Sequence, residues 1–331
     1  MSFVHLHNHT HYSLLDGLTK PEQLVARAKE QGSPAVAITD HGVMYGVIEF
    51  YQKCQKAGIK PIIGVEAYLA PNSRHDKNTR EDARNYHLLL LAKNNVGYKN
   101  LIKLTSIAHL EGFYYKPRID WELLQQYHEG LIACTACLGG EIPRLISAGK
   151  LDKAKERIMD YQNLFGADSF YLEIQDHPEL EGQDKVNKQL MVFSKELNVP
   201  LVATNDSHYL RKEHEEAQDI LLCLQNKKKL DDTDRMKMMG HGDYSVRSNA
   251  EMIAAFKENP EAVANTLKIA DMCNVEIELG NIQLPHFEVP EGHDGNSFLR
   301  ELCEKGLKKR YGLVGDKVVD DGFATLDLEE V

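Results

Sequence analysis

The stretch Pro21-Glu22-Gln23-Leu24-Val25-Ala26-Arg27-Ala28-Lys29-Glu30-Gln31-Gly32 runs through Ser33-Pro34 into Ala35-Val36-Ala37-Ile38-Thr39-Asp40-His41-Gly42. The first part opens with Pro in its first turn and closes at Gly32, which are helix start and stop signals. The second is a short apolar run of the kind that makes a fully buried strand, ended by an Asp, a His and a Gly. A helix feeding a buried strand is one repeat of a βα pattern, and the pattern recurs along the chain. Candidate strands are Phe3 to Leu6, Ala35 to Thr39, Pro61 to Val65, His87 to Leu91, Leu131 to Ala133, Phe170 to Ile174 and Leu201 to Thr204. Candidate helices are Pro21 to Gln31, Val43 to Ala57, Tyr98 to His109, Leu151 to Phe165, Lys185 to Leu197 and Glu213 to Cys223. The alternation predicts an α/β fold with a mainly parallel sheet. Seven strands with intervening helices predict a TIM-like barrel related to the eight-stranded form, distorted or incompletely closed.

After about Asp271 the pattern changes to a strand-like Val275-Glu276-Ile277, a loop from Pro285 to Pro290, a helix from Ser297 to Tyr311 and an acidic tail beyond Gly312. The expected division is therefore a domain over 1–270 and, over 271–331, the cut-short beginning of another domain, with a C-terminal extension of the first domain as the alternative.

At 331 residues, 42% hydrophobic and 27% charged, the chain has the composition of a soluble globular protein and no apolar run long enough for a bilayer. The N-terminus lacks the basic and apolar regions of a secretory signal, so a cytoplasmic location is expected. Six scattered cysteines are too few and too irregular for a disulfide scaffold, and they point to a reducing compartment. The net charge of -11 argues against gripping nucleic acid by bulk electrostatics, so any such contact must be local or aided by bound cations.

The chemistry-bearing signals lie at strand ends. In His5-Leu6-His7-Asn8-His9-Thr10-His11, side chains two apart in a strand share a face, so His7 and His9 can reach one metal ion. Asp16 follows in Leu14-Leu15-Asp16-Gly17. His41 sits at the C-terminal end of its strand, where barrel enzymes place reactive groups, and Glu66 ends the run Pro61 to Val65. A carboxylate buried alone there would be costly, and a metal partner removes the cost. Asp206 and His208 follow the strand Leu201 to Thr204. His87 is weaker, since it starts its strand and so falls at the wrong end of a parallel barrel. Cys134 and Cys137 form a C-x-x-C pair, but no second pair and no thioredoxin-like pattern accompany it. One Cys thiolate in a mixed His/carboxylate site is more economical, and such donors suit Zn²⁺, Mn²⁺ or Fe²⁺.

His7-x-His9, Asp16, Asp40-His41, Gly64-Val65-Glu66, His87, Cys137 and Asp206-x-His208 together resemble the PHP family, named for polymerase and histidinol phosphatase. Within it, the stretches 12–17, 37–42, 58–64 and Gly112-Phe113-Tyr114-Tyr115-Lys116-Pro117-Arg118 are similar to the N-terminal domains of bacterial replicative DNA polymerases. The resemblance implies a distorted (β/α)7 barrel with three divalent metal ions. The first ion would take His7, His9, Glu66 and Asp206, the second Glu66, His87 and Cys137, and the third Asp16, His41 and His208. It also implies that His7, His9, Glu66 and Asp206 carry catalysis, with a DNA 3′ end as substrate, 3′-5′ exonuclease proofreading as the activity, and the remaining polymerase domains and other replisome subunits as partners. Arg118 and Arg144 are candidates for gripping phosphate, solvated surface positions being the equal alternative. Two other readings stay open: a small-molecule phosphomonoesterase of the histidinol phosphatase kind, and a metal-stabilised structural module that docks a separate proofreading subunit.

Overall fold

The computed structural model describes residues 2–311 together with the pairs 313–314 and 317–318. Most of the acidic tail expected beyond Gly312 lies outside the described residues. Two compact units are present, Met1–Ile277 and Glu278–Val331.

The first unit is built on a curled seven-stranded sheet. Its strands are β1 (Ala35–Ile38), β2 (Lys60–Leu69), β3 (Tyr86–Ala92), β4 (Arg118–Ile119), β5 (Leu131–Cys134), β6 (Phe170–Gln175) and β7 (Leu201–Thr204). The order is β1-β2-β3-β5-β6-β7, with the two-residue β4 attached to β2. Helices α1 (Pro21–Glu30), α2 (Val47–Ala57), α3 (Asn95–Leu110), α4 (Trp121–Tyr127), α5 (Glu141–Ser147), α6 (Leu151–Phe165), α7 (Gln183–Leu197), α8 (Glu215–Asn226), α9 (Asn249–Ala255) and α10 (Pro260–Met272) complete the unit.

The N-terminal segment closes the sheet. Ala37 N donates to His5 O and Thr39 N to Asn8 O on the β1 side, while His9 N donates to Ser207 O and Ser207 N to His7 O beyond the end of β7. The expected strand Phe3 to Leu6 does not form as a regular strand; the stretch His5 to His9 bridges both edges instead, through an irregular ladder. The Asn8 side chain patches the irregularity by donating to the carbonyls of His5 and Ala37. The outcome is the predicted distorted barrel.

One strand departs from the expected direction. β3 runs antiparallel to both β2 and β5. Its first residues therefore lie at the same mouth as the C-terminal ends of the parallel strands, and this is why His87 is not misplaced.

Strand parity sorts the core into an inside and an outside. Val36, Ile38, Ile63, Val65, Leu88, Leu90, Ala133 and Leu172 pack outward under the helices. Ala35, Ala37, Ile62, Leu89, Leu91, Ile132, Tyr171 and Val202 fill the interior with Ile269, Ala270 and Cys273 of and after α10. Glu66 is four residues beyond Ile62 and His87 two before Leu89, so both side chains fall on the interior face.

Helix boundaries follow caps. α2 starts at Val47, later than the expected Val43, because the chain first turns through Gly42 at φ 63°. α4 and α5 are short helices that periodicity alone did not mark; Asp120 caps α4 by accepting from Leu123 N. Beyond α10, Asn274 N donates to Lys93 O and Glu276 N to Asn95 Oδ1, which ties the expected strand-like stretch to the barrel unit. The second unit contains α11 (Gly295–Tyr311), close to the expected helix, and the short antiparallel pair β8 (Leu313–Val314) and β9 (Lys317–Val318).

Candidate metal centre

At the mouth of the barrel the candidate donors from distant parts of the sequence meet. Glu66 is their hub. Its Oε1 lies 3.3 Å from His7 Nε2 and 3.0 Å from His87 Nδ1, and its Oε2 lies 3.5 Å from His9 Nε2 and 2.7 Å from His41 Nδ1. Cys137 Sγ is 3.9 Å from Glu66 Oε1 and 3.6 Å from His87 Nδ1. Asp206 Oδ1 approaches His7 Nε2 at 3.3 Å and His9 Nε2 at 3.1 Å. Asp16 reaches His41 Nε2 at 3.0 Å and His208 Nε2 at 3.8 Å.

His87 Nδ1 is hydrogen-bonded to Glu66 Oε1, with Cys137 Sγ beside both, but many of the other facing atoms have no hydrogen bond between them. His7 Nε2, His9 Nε2, Asp16 Oδ1, His41 Nδ1, Glu66 Oε2 and Asp206 Oδ1 are all buried and lack a hydrogen-bond partner. Buried polar atoms are normally satisfied, so six orphans around one space require a common partner. Three subsets have donor atoms within 4.8 Å of one another: His7, His9 and Glu66; His41, Glu66 and His87; His9, His41 and His208. Imidazole nitrogen, carboxylate oxygen and one thiolate are a competent donor set for divalent cations of the Zn²⁺, Mn²⁺ or Fe²⁺ type.

The electrostatics ask for positive charge. Burial pushes the Glu66 carboxyl up, but His87, His7 and His41 outweigh it and hold the group well below the usual range. Burial likewise opposes ionisation of Asp206 and Asp16, and the surrounding histidines win in both. His7 is driven up by Asp206, Glu173 and Glu66 against the effect of burial, whereas His9, buried and facing His41 and His208, is pushed down to about 3. Burial, with Glu66 and Asp206 nearby, raises the Cys137 thiol. Bound cations would neutralise the carboxylates and draw the proton from the thiol.

A supporting shell fixes the donors. Glu173 Oε1 lies 2.7 Å from His7 Nδ1, setting the tautomer that leaves Nε2 free for a metal. Glu173 is itself held by Thr204 Oγ1 at 2.5 Å and Gln175 Nε2 at 3.0 Å. It is a functional residue that sequence reasoning missed. The same signal that marked Glu66, an acid on the interior face of a buried strand, was present in Phe170 to Ile174. Asp40 contributes by holding the loop before Asp16: it accepts from Thr10 N at 2.6 Å and from Ser13 Oγ at 2.8 Å. Gly17 is required there, because a Cβ would stand 2.2 Å from Thr10 O.

Left-handed backbone marks several donors. Asp206 has φ 52°, Leu15 before Asp16 has φ 61°, and Ala136 before Cys137 has φ 58°. Non-glycine residues rarely adopt this conformation, and they concentrate where function sets side-chain direction. The bend at Asp206 does not separate it from His208, whose Nδ1 lies 3.7 Å from Asp206 Oδ1.

The two candidate phosphate arginines fare differently. Arg118 is fully buried, and its guanidinium donates to the carbonyls of Gly112, Arg74, Asp76 and Asp82. With its donors committed to four carbonyls it cannot grip a substrate, so that expectation is corrected: Arg118 is a loop clamp. Arg144 is exposed and lies over the Tyr86 ring, 5.5 Å from its centroid. Among the remaining histidines, His5 points away from the centre and contacts Arg247 O, and His177 packs in the core against Tyr244. A cavity of about 390 Å³ opens onto the centre, lined by Asp16, His41, His87, Cys137, Asp206 and His208 together with Tyr68, Lys116 and Tyr244.

The sequence model of the PHP domain matches residues 5–177, and this chain belongs to the PHP domain family. Its relatives narrow the description further. It is 46% identical over 329 residues to the DNA polymerase III subunit alpha of Borreliella burgdorferi, covering 98% of this chain and 28% of that protein. It is 44% identical over 321 residues to the DNA polymerase III subunit alpha of Thermus aquaticus, covering 94% of this chain and 26% of that protein. The chain thus spans between a quarter and a third of the length of these relatives. Among solved structures, an amidohydrolase from Chromobacterium violaceum covers 62% of this chain and 88% of its own, at 15% identity and a TM-score of 0.41. That likeness is too loose to argue from. Among the described residues no helix is long and apolar enough to cross a membrane.

Proposed function

We propose that the chain is a metal-dependent phosphoesterase that hydrolyses phosphodiesters at a DNA 3′ end, a 3′-5′ exonuclease, and that it works in the cytoplasm beside other polymerase domains and replisome subunits. The observation that carries this reading is the set of orphaned, buried imidazole and carboxylate atoms directed at one space at the barrel mouth.

By the family resemblance three cations would be held, one by His7, His9, Glu66 and Asp206, one by Glu66, His87 and Cys137, and one by Asp16, His41 and His208. The clustered groups His7, His9 and Glu66; His41, Glu66 and His87; and His9, His41 and His208 support such sharing among these donors. Bound there, divalent ions would acidify a water and neutralise the charge that develops on a phosphate. The chain's own residues do the positioning. Glu173 holds His7 in one tautomer, Ser13 anchors the loop carrying Asp16, and the interior strands fix Glu66 from below. Asp206 at the open rim directs a carboxylate oxygen into the cavity, where it can orient an attacking water. Similarity to DNA polymerase III alpha subunits supports DNA as the substrate over a small phosphomonoester, and with a net charge of -11 contact with a polyanion must be local or aided by bound cations.

The test is hydrolysis of a 3′-labelled single-stranded oligonucleotide and of a chromogenic phosphomonoester, with Zn²⁺, Mn²⁺ or Fe²⁺ supplied. Stepwise loss of 3′ nucleotides is expected. Release from the monoester alone would support the small-molecule reading, and a metal-loaded chain inert on both would support the structural one.

A further inference from the structure

The loop Gly112-Phe113-Tyr114-Tyr115-Lys116-Pro117 stands at the rim of the metal centre and has no part in binding the metal. Its base is rigid. Arg118 pins it to the 74–82 loop through backbone carbonyls, and Gly112 packs so closely that a Cβ would lie 1.9 Å from Arg118 O. Its tip is a tight turn in which Tyr114 N donates to Lys116 O and Tyr115 sits at φ 61°. A bulky residue in the left-handed region is uncommon, and here it aims Lys116 inward over the Tyr68 ring, 5.2 Å from its centroid. Tyr68 in turn contacts two candidate ligands, stacking on His41 at 5.8 Å and meeting His87 edge-on at 5.4 Å.

The Lys116 ammonium is exposed, and among the described residues it forms no ion pair or hydrogen bond, although the mouth it overlooks is rich in carboxylates. Next to it a side cleft of about 190 Å³ leads away from the centre, with Asp16 and His41 at its inner end and Tyr12, Tyr45, Lys116 and Pro117 along its walls. Tyr45 is 61% exposed at the point where this cleft meets a second, apolar groove over Ile102 and Leu110. A charged donor and an exposed flat ring on one path are the two elements that hold a single strand: the ammonium takes a phosphate and the ring takes a base face. A duplex keeps its bases stacked on each other and offers none to the ring.

Resting on the phosphodiesterase reading above, we propose that this side cleft is the subsite for the retained strand of single-stranded DNA, with Lys116 binding a backbone phosphate upstream of the scissile one and Tyr45 stacking on a base. Arg118 is a positioning residue that acts through the loop. The two contacts leave different signatures. Loss of a phosphate contact lowers the salt dependence of binding by about 0.7 in log K against log salt for a single strand, whereas loss of a stacking partner leaves that slope alone.

The test is equilibrium binding of a fluorescent single-stranded oligonucleotide, protected at its 3′ end by phosphorothioate linkages, to this chain across a salt series. The proteins are the unaltered chain, Lys116→Gln, Tyr45→Ala and Tyr45→Phe, each checked for metal content. Expected are a loss of about tenfold in affinity with the reduced slope for Lys116→Gln, a similar loss at unchanged slope for Tyr45→Ala, and recovery in Tyr45→Phe. Unchanged affinity and slope in both variants, at normal metal content, would overturn the proposal, as would binding of duplex as tight as of single strand. Cleavage of an unprotected oligonucleotide by the unaltered chain is measured separately. If the strand binds as expected but is not cut, the catalytic reading fails and the subsite stands; if it is cut while the variants bind normally, the subsite fails alone.

Discussion

Glu66 shows how one side chain organises this protein. It is 1% exposed, yet four imidazoles lie within 3.5 Å of its two oxygens. A carboxylate there without counter-charge would be strongly destabilising, and the histidines alone relieve it only by taking up protons. Replacing Glu66 by Gln should therefore lower metal content and hydrolysis together. Glu173 gives a finer test, since it touches only His7 and its own supports. Glu173→Gln should weaken metal binding about 10- to 100-fold while leaving the fold intact, measured by competition with a coloured chelator. Arg118 belongs to stability. Arg118→Ala should cost at least about 1–3 kcal/mol in denaturant unfolding, because buried carbonyls lose their donors, and Lys in its place should restore little, having no planar fork to reach them. The cysteines make a chemical prediction. Burial pushes the Cys54 and Cys273 thiols up to about 12. Cys303 is exposed, so a thiol reagent at pH 8 should modify it first and leave Cys54 and Cys273 intact until the protein unfolds.

Among the elements, β3 matters most. The interior parity of His87, Leu89 and Leu91 was readable from the sequence, and so were the boundaries of the strand. Its direction was not, because antiparallel insertion depends on how the 70–85 loop returns the chain, and no local signal encodes that. His87 consequently looked displaced until the pairing of β3 with β2 and β5 put its first residue at the mouth. The N-terminal segment was legible in part: alternation put His7 and His9 together, and the structure turns both into the centre. The same alternation would group His5 with them, but His5 bonds away from the centre because the ladder is irregular. Asp16, His41 and Asp206 were legible as strand-end or motif candidates. Glu173 and the short helices α4 and α5 were missed, the first because its acid sits inside the strand and does not end it, and the others because seven residues show too little period. Close packing between elements supplies another test. At the start of α3, a Cβ on Gly97 would stand 1.9 Å from Gly130 O, so Gly97→Ala should destabilise the barrel by at least about 2 kcal/mol, read from the shift in denaturant midpoint at constant m.

At the scale of the barrel unit, the fold follows from buried strands whose outward faces pack under helices and whose inward faces end in donors at one mouth. The far end is closed by Ile269, Ala270 and Cys273. That arrangement separates stability from chemistry, as barrels do. The separation is incomplete here, because cations would join segments as distant as His7 and His208. Ligands that bind only the folded state add about 2.7 kcal/mol when present at a hundredfold excess over Kd. Chelation should therefore lower the melting temperature measurably, and readdition of Zn²⁺ or Mn²⁺ should restore it. The boundary drawn from sequence near residue 270 fell where periodicity changed, whereas the compact unit runs to Ile277 because backbone bonds from Asn274 and Glu276 continue to hold the chain to the barrel.

The most direct test is elemental analysis of the chain purified without chelator, reported as divalent ions per chain, for the unaltered protein and for Glu66→Gln. Convergent donors around a shared carboxylate predict more than one ion per chain, with a marked loss in the variant while its circular dichroism stays native. A folded chain that binds no divalent ion even after Zn²⁺, Mn²⁺ and Fe²⁺ are each supplied would contradict the account.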